Sequence, residues 1–195
     1  MTCIVGMLNP QDGNVIIGGD SAAVSGIEIQ VEKQPKVFQD QEGKFIFGCT
    51  TSFRMIQLLK FQFKPPIIEH GGTGFTSASK QAPVDIYAYM CTKFVDELRN
   101  CFKVGGILDT QNGIEHGGTF LVGYKERLFR INSDFYVMET LDGFDAVGCG
   151  QQYALGAMKQ LESTKLSVQA KLAQALETAA HFSGGVVGPF HYVST

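Results

Sequence analysis

The order in which strand-like and helix-like stretches follow one another constrains this chain more than any other feature of its sequence. Runs 2–8 and 14–18 are apolar β-type segments, and Asn9-Pro10-Gln11-Asp12-Gly13 between them is turn chemistry, so the pair reads as a hairpin. Residues 26–32 alternate apolar and polar, with Ile27, Ile29 and Val31 on one face, which predicts a half-buried strand. Short strands are expected at 36–39 and 44–49 around a Gln41-Glu42-Gly43 turn. The period then changes. Ile56, Leu59 and Phe63 share a helical face, Ser52 suits the N-cap, and Pro65-Pro66 ends the segment. After a loop at 65–82, Pro83 is expected to open a longer helix with Tyr87, Met90, Phe94, Leu98 and Cys101 on one stripe, stopped by Gly105-Gly106.

Beyond a second loop at 105–118, residues 119–124, 127–132 and 135–138 read as a strand meander, with a short strand at 145–147. Helices are expected at 152–161 and 168–182, the second capped by Ser167 with Val168, Leu172, Leu176 and Ala179 inward, and a last strand at 186–192. Segregated blocks of strands, two helices, strands, two helices and a strand argue for an α+β fold. Two sheets pack face to face with helices outside each, a four-layer αββα sandwich. The chain has 195 residues, no internal repeat and no long linker, so one domain spanning 1–195 is expected.

Composition narrows the function. With 44% hydrophobic and 18% charged residues the chain is an ordinary globular mixture, and a net charge of -3 gives no reason to expect a nucleic-acid or anionic-membrane partner. No apolar run reaches the length of a bilayer-spanning helix, and residues 1–6 lack a secretory signal pattern. The 5 cysteines are odd in number and are not spaced as a zinc or redox motif, which favours free thiols in the cytoplasm.

Three polar residues stand where chemistry is possible. Removal of Met1 would leave Thr2 with a free α-amine, and such an amine can serve as base to its own hydroxyl, since it titrates at about 7.7–8.0. Asp20 ends the apolar run Val15-Ile16-Ile17-Gly18-Gly19, and Lys36 opens the run Val37-Phe38. Read singly, each has an ordinary alternative: a common Met-Thr start, a turn aspartate and an edge lysine.

Read together, Thr2-x-Ile4-Val5, Ile17-Gly18-Gly19-Asp20-Ser21 and Lys36-Val37 resemble the first third of proteasome β-type subunits and HslV-type peptidases. Lys33 competes for the lysine position, but Lys36 has the family's spacing from the aspartate. The likeness continues in order through Gly48-Cys49-Thr50-Thr51-Ser52, Val147-Gly148-Cys149-Gly150, Tyr153-Ala154 and Ser183-Gly184-Gly185. The resemblance implies an N-terminal-nucleophile threonine peptidase with Thr2 as nucleophile and Asp20 and Lys36 beside it. The Thr51 backbone N–H would stabilise the oxyanion, and Cys149 and Ser183 would support the α-amine. It implies polypeptide substrates, a homo-oligomeric ring, a separate ATP-dependent unfoldase, and no metal or cofactor.

Three positions depart from the family pattern. Thr51 stands for a glycine at the oxyanion turn, Cys149 for a serine near the amine, and Ala180 for an aspartate that would orient Ser183. These changes keep two other readings open: a structural or assembly subunit of the same fold, and an amide hydrolase for a small molecule. Cys3 is expected to be packing in the first strand. The repeated Glu-His-Gly-Gly at Glu69-His70 and Glu115-His116 is expected to lie in solvated loops.

Overall fold

The computed structural model describes residues 1–66, 68 and 85–195. β1 (Cys3–Leu8) and β2 (Val15–Gly19) form the expected hairpin, with Ile4 opposite Gly19 and Leu8 opposite Val15. Its turn closes where the Asn9 N–H donates to the Asn14 carbonyl at 2.7 Å. β3 (Ala22–Ser25), β4 (Glu28–Val31), β5 (Val37–Gln39), β6 (Ile46–Cys49) and α1 (Phe53–Phe61) follow. A second helical run joins α2 (Ile86–Tyr89) to α3 (Val95–Val104) through a π-helical turn at Met90–Phe94. Next come β7 (Asp109–Gln111), β8 (Ile114–His116), β9 (Phe120–Tyr124), β10 (Arg127–Ile131), β11 (Val137–Glu139) and β12 (Phe144–Gly148). The described chain ends with α4 (Gln151–Leu161), α5 (Val168–Phe182) and β13 (His191–Ser194).

The main strands assemble into two antiparallel sheets, ordered β12-β1-β2-β13 and β11-β10-β9-β6-β5. Strand periodicity sorts their side chains into three apolar layers. Cys3, Val5 and Met7 pack on Met158, Leu172 and Leu176 of α4 and α5. Ile4 points the other way, into an inter-sheet layer with Ile17, Val37, Ile46 and Leu121. Phe47, Phe120 and Val122 face Leu58, Leu59, Phe94 and Phe102 of the other helical layer. The chain is thus an α+β sandwich of four layers, helix–sheet–sheet–helix. The sheets approach closely: a Cβ added at Gly48 would lie 2.5 Å from methyl groups of both Ile4 and Ile17. An ion pair also joins them, with Arg130 Nε of β10 donating to Asp145 Oδ2 of β12 at 2.8 Å.

Several expectations are corrected. Segment 26–32 is no half-buried strand. β3 and β4 form a separate hairpin turning at Gly26 (φ 58), with Ile27, Ile29 and Val31 all exposed. Alternation marks one apolar face, but among the described residues neither sheet nor helix covers this one. Loop 105–118 contains the hairpin β7–β8. The last strand begins at His191 rather than 186, because Pro189 has no N–H to give a ladder and the Val187 N–H is taken elsewhere. On the long helical run the inward residues are Tyr89, Met90, Phe94, Val95, Leu98 and Phe102, whereas Tyr87 and Cys101 sit at the margins. The π turn holds more residues than an α turn, so an inward repeat of four is kept in phase and a strict 3.6 period misplaces both ends. The helix start at Pro83, His70, and the 65–82 loop apart from residues 65, 66 and 68 lie outside the described residues.

Candidate active site

β1, β2 and β5 converge at one end of the inter-sheet layer, and this convergence sets Thr2, Asp20 and Lys36 together. Asp20 follows β2 and is 0% exposed. Its Oδ1 accepts the Cys3 N–H at 3.0 Å, and its Oδ2 accepts the Ala22 N–H at 2.9 Å and the Val187 N–H at 3.5 Å. Lys36 precedes β5 and is 2% exposed, among the largest fully buried side chains of the described residues. Its Nζ lies 2.9 Å from Asp20 Oδ1 and 2.9 Å from Thr2 Oγ1. A charge this deep persists only with a partner and further donors to fill the remaining lone pairs, and Asp20 has both. Thr2 Oγ1 also donates to the Met1 carbonyl at 2.5 Å.

Across from Thr2, the chain leaves β6 through Thr50-Thr51-Ser52. The Thr51 φ is 68, and the Ser52 N–H donates to Thr50 O at 2.8 Å. This is a γ-turn with positive φ at its centre, a rare and strained form, occupied here by a β-branched residue. Side chains pin it. Thr50 Oγ1 donates to Thr119 O at 2.7 Å, Thr51 Oγ1 accepts the Thr119 N–H at 3.2 Å, and the two hydroxyls meet at 3.1 Å. Among the described residues no protein acceptor takes the Thr51 N–H, which leaves it available to a ligand. Ser52 caps α1, accepting from Met55 N at 3.4 Å, as its sequence position suggests. A cavity of about 140 Å³ lies between the turn and Thr2, lined also by Val24, Lys36, Cys49, Phe53 and Ile56.

The nitrogen of Thr2 faces a different neighbourhood. It donates to Cys149 Sγ at 3.3 Å, the Cys149 thiol donates to Thr2 O at 3.4 Å, and Ser183 Oγ lies 3.4 Å from the sulfur. Cys149 is exposed, one residue past β12, and Ser183 is the C-cap of α5. Ala180 packs on the α4–α5 layer and offers Ser183 no acceptor. Cys3 lies in that same layer. Burial, then the neighbouring Asp20 charge, pushes its thiol up to about 12, so it is held in the unreactive neutral form.

All six residues singled out in the sequence therefore meet around Thr2. Of the two His-Gly-Gly sites, the one at His116 is not among them, since His116 lies opposite Asp109 in the β7–β8 hairpin; His70 is outside the described residues. Sequence reasoning missed the Val187 donor and the cavity walls Val24, Phe53 and Ile56. Phe53 and Ile56 are one helical turn apart just beyond the cap, a spacing that could have suggested a shared wall.

No family model matches the sequence. Solved structures do match the fold. Thiobacillus denitrificans BPH superposes with TM-score 0.77 at 19% identity, over 100% of this chain and 97% of that one. Its complex with epoxomicin gives 0.76, also at 19% identity, over 100% and 98% of the two chains. Eukaryotic HslV from Trypanosoma brucei gives 0.65 at 14% identity, over 99% and 98%. The chain has the proteasome-like fold of the HslV type. Anbu, the ancestral β-subunit, from Yersinia bercovieri shares it with TM-score 0.61 at 13% identity, over 100% of this chain and 81% of that one. Within the HslV-type fold, then, this chain has the full sandwich at 13–19% identity to these structures.

Proposed function

We propose that this chain is a threonine peptidase whose nucleophile is Thr2 after loss of Met1. The observation that carries the reading is the buried Lys36 ammonium shared between Thr2 Oγ1 and Asp20 Oδ1, each at 2.9 Å. A scaffold protein gains little from burying a lysine against a threonine hydroxyl, whereas a weak alcohol nucleophile needs that cation. The α-amine of Thr2 takes the Oγ1 proton as Oγ1 attacks a peptide carbonyl, and Lys36 stabilises the developing alkoxide. The Thr51 N–H receives the oxyanion. The intermediate collapses as the amine delivers its proton to the leaving peptide nitrogen, giving an ester on Thr2. Water, activated by the same amine, then hydrolyses that ester and restores Oγ1–H.

Polypeptide substrates, one catalytic domain per chain, a homo-oligomeric ring, a cytoplasmic setting and a separate ATP-dependent unfoldase belong to this proposal. The rival reading is a structural subunit of the same fold. The thiol at Cys149 and the missing acceptor at Ala180 favour it, because both weaken the surroundings of the amine.

BPH is known in complex with epoxomicin, and an epoxyketone of this kind traps a threonine hydroxyl and a free α-amine together. The deciding measurement is intact mass before and after incubation with epoxomicin. Loss of Met1 and gain of one inhibitor mass, absent in Thr2→Ala, is the expected result, and Thr2→Ala should abolish peptide turnover while melting like the parent. A protein that keeps Met1 and takes no adduct leaves the structural-subunit reading in place.

A further inference from the structure

The described cysteines are not alike. Cys3 and Cys49 are buried in apolar layers, while Cys149 is exposed and sits against the backbone of residue 2. The fit is enforced by its neighbours. Gly148 lies opposite Cys3 in the β1–β12 register, has φ 101, and a Cβ there would fall 2.2 Å from Thr2 O. The Gly150 N–H donates to the same carbonyl at 3.4 Å. Glycine on both sides lets the chain close over residue 2 and leaves Cys149 Sγ in van der Waals contact with Thr2 N, at 3.3 Å.

We propose that Cys149 is an oxidative modification site, at which a hydroperoxide converts the thiol to a sulfenic acid that condenses with Thr2 N into a reversible S–N bond. In the first step the sulfur attacks a peroxide oxygen and the O–O bond breaks. Sulfur is oxidised by two electrons to S–OH, and with hydrogen peroxide the other oxygen leaves as water. In the second step Thr2 N attacks the sulfur, the S–OH bond breaks, and the hydroxide leaves with a proton from nitrogen as a second water. The protein loses two hydrogen atoms in all. A thiol reverses the bond: it attacks Cys149 Sγ, nitrogen regains a proton, and a second thiol frees Cys149 from the mixed disulfide.

Two features favour nitrogen over other partners for the oxidised sulfur. Ser183 Oγ, 3.4 Å away, can hydrogen-bond the S–OH group, and an alcohol does not displace it as a nitrogen does. Cys3 is the nearest thiol in sequence to the nitrogen, but it is packed on the α4–α5 side of β1 with a firmly held proton. The bond itself needs only Thr2 N, which is an amide before Met1 is lost and an amine afterwards. Its consequence, a site switched off because the amine is no longer a base, rests on the peptidase reading above.

The test is hydrogen peroxide treatment of the native protein, read by intact mass and by tandem mass spectrometry of non-reduced peptides. The expected result is loss of two hydrogens, a cross-link between Thr2 N and Cys149, restoration by dithiothreitol, and no cross-link in Cys149→Ser. Oxygen addition at Cys149 without loss of two hydrogens would overturn the proposal. So would a cross-link that fragmentation between residues 2 and 3 places on Cys3, since that product is a disulfide; this readout needs no variant to fold. In protein that has lost Met1, peroxide should also block epoxomicin addition until dithiothreitol is added. A cross-link in protein that never takes epoxomicin, even reduced, keeps the modification site and removes the peptidase.

Discussion

On its hydroxyl side Thr2 meets a buried ion pair held by backbone donors, and on its nitrogen side it meets a solvent-exposed thiol held by long contacts. Asp20 accepts from Lys36 and from three N–H groups of segments far apart in sequence, so its position is over-determined. Cys149 has contacts of 3.3–3.4 Å through sulfur, a weak acceptor and weaker donor. The first side carries charge that the fold must keep paired. The second can be altered chemically without unpairing a charge. That difference teaches where this molecule tolerates change, and each side can be broken separately.

The largest effect is expected from Lys36→Ala. It leaves the Asp20 carboxylate buried without its cation, which costs about 3–5 kcal/mol. In a chain of this size the melting temperature should fall by roughly 10 °C. Peptide turnover should fall by orders of magnitude beyond any loss of folded protein. A variant with nearly unchanged turnover would remove Lys36 from the chemistry and leave it a structural role only.

Next comes pH. The Cys3 N–H serves Asp20 while its thiol is buried, and the folded state raises that thiol from 9.0 to about 12. Above pH 9 the unfolded chain gives up this proton and the folded chain keeps it. The folded state therefore binds more protons, and stability falls as pH rises through 9 toward 12, by about 1.4 kcal/mol per pH unit at most from this group. Chemical denaturation at pH 8 and pH 10 should show the loss, and Cys3→Ala should reduce it. Equal slopes in parent and variant would mean that Cys3 is not the titrating group.

On the nitrogen side, Cys149→Ser exchanges a thiol for a stronger hydrogen-bond partner. Stability should stay within about 0.5 kcal/mol of the parent. Turnover should rise roughly 2- to 10-fold, the equivalent of one ordinary hydrogen bond to the amine. A fall in turnover would mean that sulfur, not merely a contact, is required there.

The same contrast governs what could be read from the sequence. The sandwich was legible because strands such as β1 and β6, whose neighbouring residues Ile4 and Val5, or Ile46 and Phe47, enter different apolar layers, read as short continuous apolar runs bounded by turn residues. The trio of Thr2, Asp20 and Lys36 was legible as a resemblance, since each ends or opens an apolar run. Its tightness was not, because the Val187 donor arrives from a loop 167 residues away and carries no side-chain signal. The exposed hairpin β3–β4 misled for a related reason: alternation reports which face is apolar, not whether anything covers it. The positive φ at Thr51 was not legible in the Thr-Thr-Ser string itself; only the resemblance, which puts a glycine at that turn, pointed toward it.

That turn offers the smallest and most diagnostic effect. Thr51→Gly relieves strain of about 1–3 kcal/mol at φ 68. It gives up the Oγ1 contacts to Thr119 N and Thr50 Oγ1, worth about 0.5–1.5 kcal/mol, and adds about 0.5–1 kcal/mol of chain entropy to the unfolded state. These contributions nearly cancel, so its stability should lie within about 1 kcal/mol of the parent. Thr51→Ala loses the same contacts but keeps a Cβ in the left-handed region. At an ordinary backbone angle alanine would be the more stable of the two variants; here glycine should be. Denaturation midpoints for the pair read that inversion directly. If alanine proves the more stable, Thr51 is not held in the γ-turn in solution, and its N–H loses the fixed aim across the cavity that the oxyanion role requires.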